Sequence, residues 1–207
     1  MKNGLTTVSV PMPADAGEMF VHDRKAMMSD IGGVLRLING YASLGMMLPR
    51  TEFELSESIR DFTVIQAGDQ MVGCGALHFY SPTAGEIRSL AVDSHWKTRG
   101  IGRRLMAALE EEAAANGLHS IFAFTYVPGF FGKLGFREVD RGELPSKVWK
   151  DCLRCPKFQC CDEVAMRKIL QPESGGQPAP PICGENERAE NGADATVLLP
   201  AVIRNNW

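Results

Sequence analysis

Lys97-Thr98-Arg99-Gly100-Ile101-Gly102 stands between a β-rich run, Glu86 to Val92, and an amphipathic stretch from Gly100 to Asn116. A strand that turns through glycines into a helix leaves few architectures open, because the helix has to bury its apolar stripe on the sheet that the strand joins. Ile101, Leu105, Ala108 and Leu109 form that stripe, Glu110, Glu111 and Glu112 lie largely outward, and Gly117 ends the pattern. Gly100 and Gly102 let backbone come close to a ligand, and the first turn of the helix offers unpaired N–H groups at a positive dipole end. Arg99, Arg103 and Arg104 add charge at the same place. The result is a cradle suited to a pyrophosphate. It is not a P-loop, since Arg103-Arg104 stand where a Lys-Ser/Thr pair is needed. It is not a Rossmann turn either, since the third glycine and the acidic residue of the next strand are missing. A G-x-G in isolation would be explained by tight βα packing alone.

Around this unit the pattern predicts an alternating α/β chain. Met19 to Ala26 reads as a strand, followed by a helix capped by Ser29 with Ile31, Val34, Leu35 and Ile38 on one face. Thr51 and Glu54 form a capping box for a second helix with Leu55 and Ile59 inward. Two β-rich runs, Thr63 to Ala67 and Gln70 to Tyr80, are divided by Gly68-Asp69 and read as a hairpin. After the long helix come a strand, Ile121 to Val127, a short helix from Pro128 to Leu134 stopped by Gly135, and strands over Phe136 to Asp140 and Glu163 to Leu170. Residues 1–18 read as a loose extension. Residues 171–207 are too rich in Pro, Gly and Glu to bury a core and read as a tail, with a docking patch at 197–203.

Two flanks change the reading of the glycine loop. Leu90-Ala91-Val92 directly precedes it, and Phe131-Gly-Lys-Leu-Gly-Phe136 follows one strand later. Together they resemble the GNAT acetyltransferases, with strand, Q/R-x-x-G-x-G/A, helix, strand, and a helix ending in L-G-F. The resemblance covers roughly residues 19–170, and Lys97 replaces the usual Gln or Arg at the first motif position. It implies an α/β fold, a mixed, mostly antiparallel sheet with helices on both faces, whose two central strands splay around a pantetheine arm. It also implies that acetyl-CoA is the co-substrate, with Leu90, Ala91 and Val92 along the pantetheine, and Lys97, Arg99, Gly100, Ile101, Gly102, Arg103 and Arg104 about the pyrophosphate. Glu86 would be the general base, although an exposed strand-end carboxylate is the simpler account of it. The leaving-group acid of the family is a tyrosine at the position of Phe131, which has no proton to give. Phe131 is kept among the cofactor-side residues; either Thr125 or Tyr126 protonates CoA through water, or the thiolate leaves unaided into a positive site, so the acid is unassigned.

Two further segments point to the acceptor. Met46-Met-Leu-Pro-Arg50 and Glu143-Leu-Pro-Ser-Lys-Val-Trp-Lys-Asp-Cys-Leu-Arg-Cys-Pro-Lys-Phe158 resemble the short N-acetylglutamate synthases of arginine biosynthesis, which lack a kinase-like partner domain. A dicarboxylate acceptor needs at least two cationic or donor groups. Arg50, Arg88 and Lys147 are the candidates. Arg88 shares a strand face with Glu86, so a structural ion pair between them is the alternative. Lys147 could equally be a surface lysine. The rivals to glutamate are another amine acceptor (a different amino acid, a polyamine or a protein N-terminus) and a non-catalytic acetyl-CoA sensor.

Composition sets the remaining limits. A net charge of −3 gives no general reason for nucleic-acid binding, and no apolar run approaches the roughly 20 residues of a membrane span. The first residues lack an apolar signal core, so a cytoplasmic enzyme is expected. A homodimer is compatible with this size. Four of the six cysteines, Cys152, Cys155, Cys160 and Cys161, fall within ten residues. Four thiolates are a zinc donor set, but adjacent Cys160 and Cys161 cannot easily face one ion from extended backbone, so a structural segment without metal is expected.

Overall fold

The computed structural model describes residues 8–10, 19–144 and 160–171. Eight strands form one sheet: β1 (Val8–Val10), β2 (Met19–Lys25), β3 (Phe62–Ala67), β4 (Gln70–Phe79), β5 (Ala84–Val92), β6 (Ser120–Thr125), β7 (Arg137–Glu138) and β8 (Val164–Ile169). They lie in the order β1-β2-β3-β4-β5-β6-β8-β7. Every pairing is antiparallel except β5 with β6. Among the described residues four α-helices complete the fold: α1 (Ile31–Ala42), α2 (Glu52–Ser58), α3 (Ile101–Ala115) and α4 (Pro128–Gly132).

The helices divide between the two faces. Ile31, Val34, Leu37 and Ile38 of α1 and Leu55 of α2 pack with Val64, Cys74, Ala76 and Ala91 on one face. On the other, Met106 and Leu109 of α3 and Phe131 of α4 pack with Leu77, Ile87 and Ile121, while Ile101 and Leu105 meet Ile65, Val72 and Trp96. A sheet covered on both sides explains why β4 is buried from Met71 to Leu77 and reads as a continuous apolar run without alternation.

Several local readings are corrected. The segment expected to be a loose extension contributes β1, paired with β2 through Val8↔Val21 and Val10↔Met19. Ser29 does not cap α1: it lies inside a 3-10 turn, Met28–Asp30, and the carboxylate of Asp30 closes that turn by accepting the Met27 amide at 2.7 Å. Asp30 also takes both guanidinium nitrogens of Arg24, at 2.6 and 2.9 Å, which hold its carboxyl below the usual aspartate range. In α3 the buried residue between Leu105 and Leu109 is Met106, and Ala108 is only half-buried. The strand expected over Phe136 to Asp140 shrinks to two residues, because Phe136 is drawn into the core beside Phe131.

The second helix starts as its sequence dictates. Thr51 Oγ1 accepts the Glu54 amide at 3.2 Å and Glu54 returns a carboxylate to the Thr51 amide at 2.9 Å. Thr51→Ala removes one half of this reciprocal cap and should cost about 1 kcal/mol, read as a lower denaturant midpoint at unchanged slope.

Candidate active site

The site is made where β5 and β6 part. They pair in parallel only at Ala84↔Ser120, Gly85↔Ile121 and Glu86↔Phe122, although β5 runs on to Val92 and β6 to Thr125. Beyond Glu86 the facing edges diverge and leave backbone groups of β5 without a strand partner on that side. The divergence is helped by a bulge. Cys74 pairs with Ala91 and Ala76 with Arg88, so Gly75 of β4 faces two residues of β5, and Ser89 takes φ 52°. The extra residue shifts the alternation: Ile87 and Leu90 both face α3, while Glu86, Arg88 and Ala91 share the α1–α2 face.

The glycine loop lies past the end of β5. Gly100 is the N-cap of α3 at φ 81°, a left-handed conformation that a side chain would strain. A Cβ at Gly102 would lie 3.3 Å from the Phe130 ring, so this turn of helix sits directly against α4. The amides of Ile101, Gly102 and Arg103 open α3 and have no carbonyl one turn earlier to bond. That geometry presents N–H groups and the positive helix end at the mouth of the β5–β6 cleft.

The basic side chains there differ in their partners. Arg103 is exposed, Arg99 stacks on the buried Trp96 at 5.2 Å, and Lys97 lies over Tyr41 at 5.0 Å. Arg104 turns to Asp23 of β2 at 2.7 Å, so its charge supports the sheet contact of α3. Tyr41, not singled out from sequence, donates its hydroxyl to the Val92 carbonyl at 2.6 Å and so fixes the end of β5 to α1.

On the α1–α2 face, Glu86 is buried at 8% exposure and is joined to Arg88 Nε. Arg88 also bonds the Tyr80 hydroxyl and lies over that ring at 5.0 Å. The cross-strand partner of Glu86 is His78, whose Nδ1 lies 2.8 Å from Asp61 Oδ2. Tyr80 stands edge-on to His78 at 5.1 Å and tilts against Phe122 at 5.6 Å. Asp61, His78 and Tyr80 escaped sequence reasoning, because they gain meaning only from the β4–β5 register, which sets His78 opposite Glu86 and leaves Tyr80, just past β4, beside Arg88. Glu86 and Arg88 were placed on one face by the period of a strand, and that placement holds.

The remaining sequence candidates sit as follows. Arg50 precedes α2; its backbone is fixed by both side-chain atoms of Asn39, at 3.0 and 2.9 Å, and its guanidinium has no hydrogen bond or ion pair among the described residues. Thr125, buried at the end of β6, accepts the Val127 amide at 3.0 Å and keeps its own hydroxyl proton to donate. Tyr126 donates to Asp162 at 2.9 Å. Phe131 is a core ring at 4% exposure, edge-on to Phe130 and Phe136. Lys147, Cys152 and Cys155 lie outside the described residues. Among the described residues no group of His, Cys, Asp and Glu is arranged to hold a metal, and Cys160 and Cys161 are free thiols. No helix among the described residues is long and apolar enough to cross a membrane.

Cys74 lies under the site with no exposure, and burial pushes its thiol up to about 12. It should therefore stay unmodified by an alkylating reagent at pH 8 in the folded protein, while exposed Cys160 reacts. Peptide mass mapping checks this; labelling of Cys74 before Cys160 would contradict the burial.

Comparison with known proteins agrees with this architecture. Residues 40–136 match the acetyltransferase (GNAT) family. An uncharacterized N-acetyltransferase of Chlorobaculum tepidum is 40% identical over 71% of this chain and 95% of its own length. The amino-acid acetyltransferase of Mycobacterium tuberculosis is 31% identical over 63% of this chain and 76% of its own. Among solved structures, a Mycobacterium tuberculosis protein in complex with CoA superposes with a TM-score of 0.63 at 27% identity, covering 71% of this chain and 98% of that one. The N-acetylglutamate synthase of Neisseria gonorrhoeae, complexed with coenzyme A and N-acetyl-glutamate, gives 0.68 at 28% identity over 76% of this chain and 37% of that one. Parted strands, a glycine-opened helix at their mouth and these relatives lead to one assignment: the chain belongs to the GNAT family of acetyltransferases.

Proposed function

We propose that this N-acetyltransferase moves the acetyl group of acetyl-CoA to the amino group of L-glutamate, the acetylation that opens arginine biosynthesis. The observation that carries the reading is the β5–β6 cleft, which has an anion-binding helix end at its mouth and a carboxylate with arginines on its acceptor face. The proteins to which the chain is similar include an amino-acid acetyltransferase and an N-acetylglutamate synthase.

In this reading the pantetheine runs along Leu90, Ala91 and Val92, and the amides from Arg99 to Arg104 hold the pyrophosphate, with Lys97 and Arg103 adding charge. Glu86, acting directly or through water, takes a proton from the acceptor ammonium. The freed amine attacks the thioester carbonyl, the C–N bond forms, and the C–S bond breaks to release the CoA thiolate. The second proton, shed by the nitrogen as the amide forms, returns to that sulfur through the Thr125 hydroxyl and water in this reading, a role Phe131 cannot fill. Arg50 is the clamp for the α-carboxylate, with Arg88 and Lys147 as further cations on the acceptor side. Arg88 also orients Glu86 through their ion pair. The enzyme would work in the cytoplasm, where acetyl-CoA and free glutamate are both available.

A panel of acetyl acceptors with thiol release as readout tests the substrate. Glutamate should be turned over and spermidine rejected, since Arg50 and Arg88 repel a polycation. Activity on spermidine without glutamate would overturn the reading, and acetyl-CoA binding without turnover of any amine would make the protein a sensor. Arg50→Ala should raise the glutamate KM by roughly tenfold or more, with the acetyl-CoA KM unchanged.

A further inference from the structure

One same-face row crosses the sheet at the point where β5 and β6 part. His78 pairs with Glu86, Glu86 with Phe122, and Phe122 with Arg167 of β8. Strands lie about 4.8 Å apart, so the backbones of Glu86 and Arg167 are separated by roughly 10 Å. A long guanidinium side chain closes most of that span.

A cavity of about 280 Å³ opens beside this row. It is lined by the apolar Ala84, Phe122 and Leu144 and by the polar Ser81, Thr83, Ser120, Glu143 and Arg167. Ala84 stands one same-face step before Glu86, so the cavity continues the acceptor face away from the cleft. Apolar side chains alternate here with hydroxyls and the Glu143–Arg167 pair, a mixed wall whose polar groups can fix the orientation of a small molecule. One donor is unused. Arg167 bonds Glu143 at 3.0 Å through a terminal nitrogen, but its Nε is buried with no hydrogen-bond partner among the described residues. Buried donors are rarely left unmade, because losing water without replacement costs free energy. A buried guanidinium N–H at the edge of a pocket therefore marks the place of an acceptor oxygen that a ligand brings.

We infer that Arg167 is a specificity-determining residue, receiving through Nε a carboxylate at the far end of the acceptor, with Ser120 as the second donor. The inference rests on the acceptor reading above and extends it, since no sequence argument pointed to β8. A pocket of this kind takes an amine carrying an acidic arm several bonds from the nitrogen. Glu143 is built into the same wall, and its carboxylate competes with the ligand for the guanidinium. Glu143 is half-exposed and is held by the Asp140 amide through Oε1, so its Oε2 is the oxygen that yields the guanidinium when the ligand binds.

The test compares glutamate with norvaline, which has a five-carbon chain ending in methyl. The ratio of kcat/KM for the two acceptors is measured in the wild type, Arg167→Met and Glu143→Gln. Arg167→Met should lower the glutamate preference about tenfold or more and leave the acetyl-CoA KM unchanged, through loss of a charge-assisted bond. Glu143→Gln should shift the preference the other way by removing the competing carboxylate. Opposite movements cannot come from general damage to folding. An unchanged ratio in Arg167→Met, in an enzyme that prefers glutamate, overturns the Arg167 role and leaves the glutamate reading standing. A wild type that does not prefer glutamate overturns both.

Discussion

Glu86→Gln should lower kcat by about a hundredfold or more while acetyl-CoA still binds, because a positioned general base typically contributes factors of 10² to 10⁴. The substitution changes little else. Glutamine has the shape of glutamate, its amide oxygen can still accept from Arg88 Nε, and the buried setting between His78 and Phe122 is kept. Only the capacity to take a proton from the acceptor ammonium is removed. Turnover should then depend on the small fraction of acceptor that is already neutral, so the activity of the variant should climb as pH approaches the amine's own pKa. Unchanged kcat with retained binding would reduce Glu86 to a structural partner of Arg88. Loss of acetyl-CoA binding would instead place its role in holding the β5 strand.

The largest effect on stability is expected at Leu105. Its side chain has no exposure and packs with Val21, Ile65, Trp96 and Ile101. It also fills the notch that Gly73 leaves on β4, where an added Cβ would come within 3.0 Å of the leucine methyl. Truncation to alanine removes apolar contact and leaves a cavity that this close-packed layer cannot collapse to fill, at a cost of about 2 to 5 kcal/mol. That is a large share of the roughly 5 to 15 kcal/mol typical of a whole domain. The urea midpoint should fall without a change in slope. Leu105 also sets the pose of the helix that carries the glycine loop, so acetyl-CoA affinity should weaken in Leu105→Ala while acceptor selectivity persists. A midpoint unchanged from wild type would show that the layer repacks freely.

The division between what the chain displayed and what it hid has a simple pattern. The capping box at Thr51 and Glu54, the hairpin at Gly68-Asp69 and the stops at Gly117 and Gly135 were legible, because each depends on residues within one turn of one another. Start signals failed where neighbours competed. Ser29 had the composition of a cap, but Asp30 sits next to it, and Arg24 from the preceding strand draws that carboxylate into the turn. β1 was missed because three residues carry too little pattern, and its existence depends on the edge that β2 offers.

The site divides the same way. The glycine loop, the basic residues around it and the shared face of Glu86 and Arg88 follow from local chemistry and the strand period. Arg104 could be counted as a loop cation from sequence, and only the fold shows it committed to Asp23, far away in the chain. The bulge at Ser89 is invisible in the sequence, since serine has no special liking for a positive φ. Yet it decides which side of β5 each later residue faces.

The framework was legible in the chain alone: an α/β pattern, a helix opened by glycines with basic residues at its start, and motifs that resemble one family. Local propensity and periodicity suffice for the elements, because they are properties of consecutive residues, while the family came from the resemblance of the glycine loop and its two flanks. Tertiary structure alone decided which side chains meet across the sheet. The row His78, Glu86, Phe122 and Arg167 is drawn from four strands, and its register depends on every turn and bulge between them. A shift of one residue in any of those pairings would send its members to opposite faces, which is why no motif in the chain could announce it.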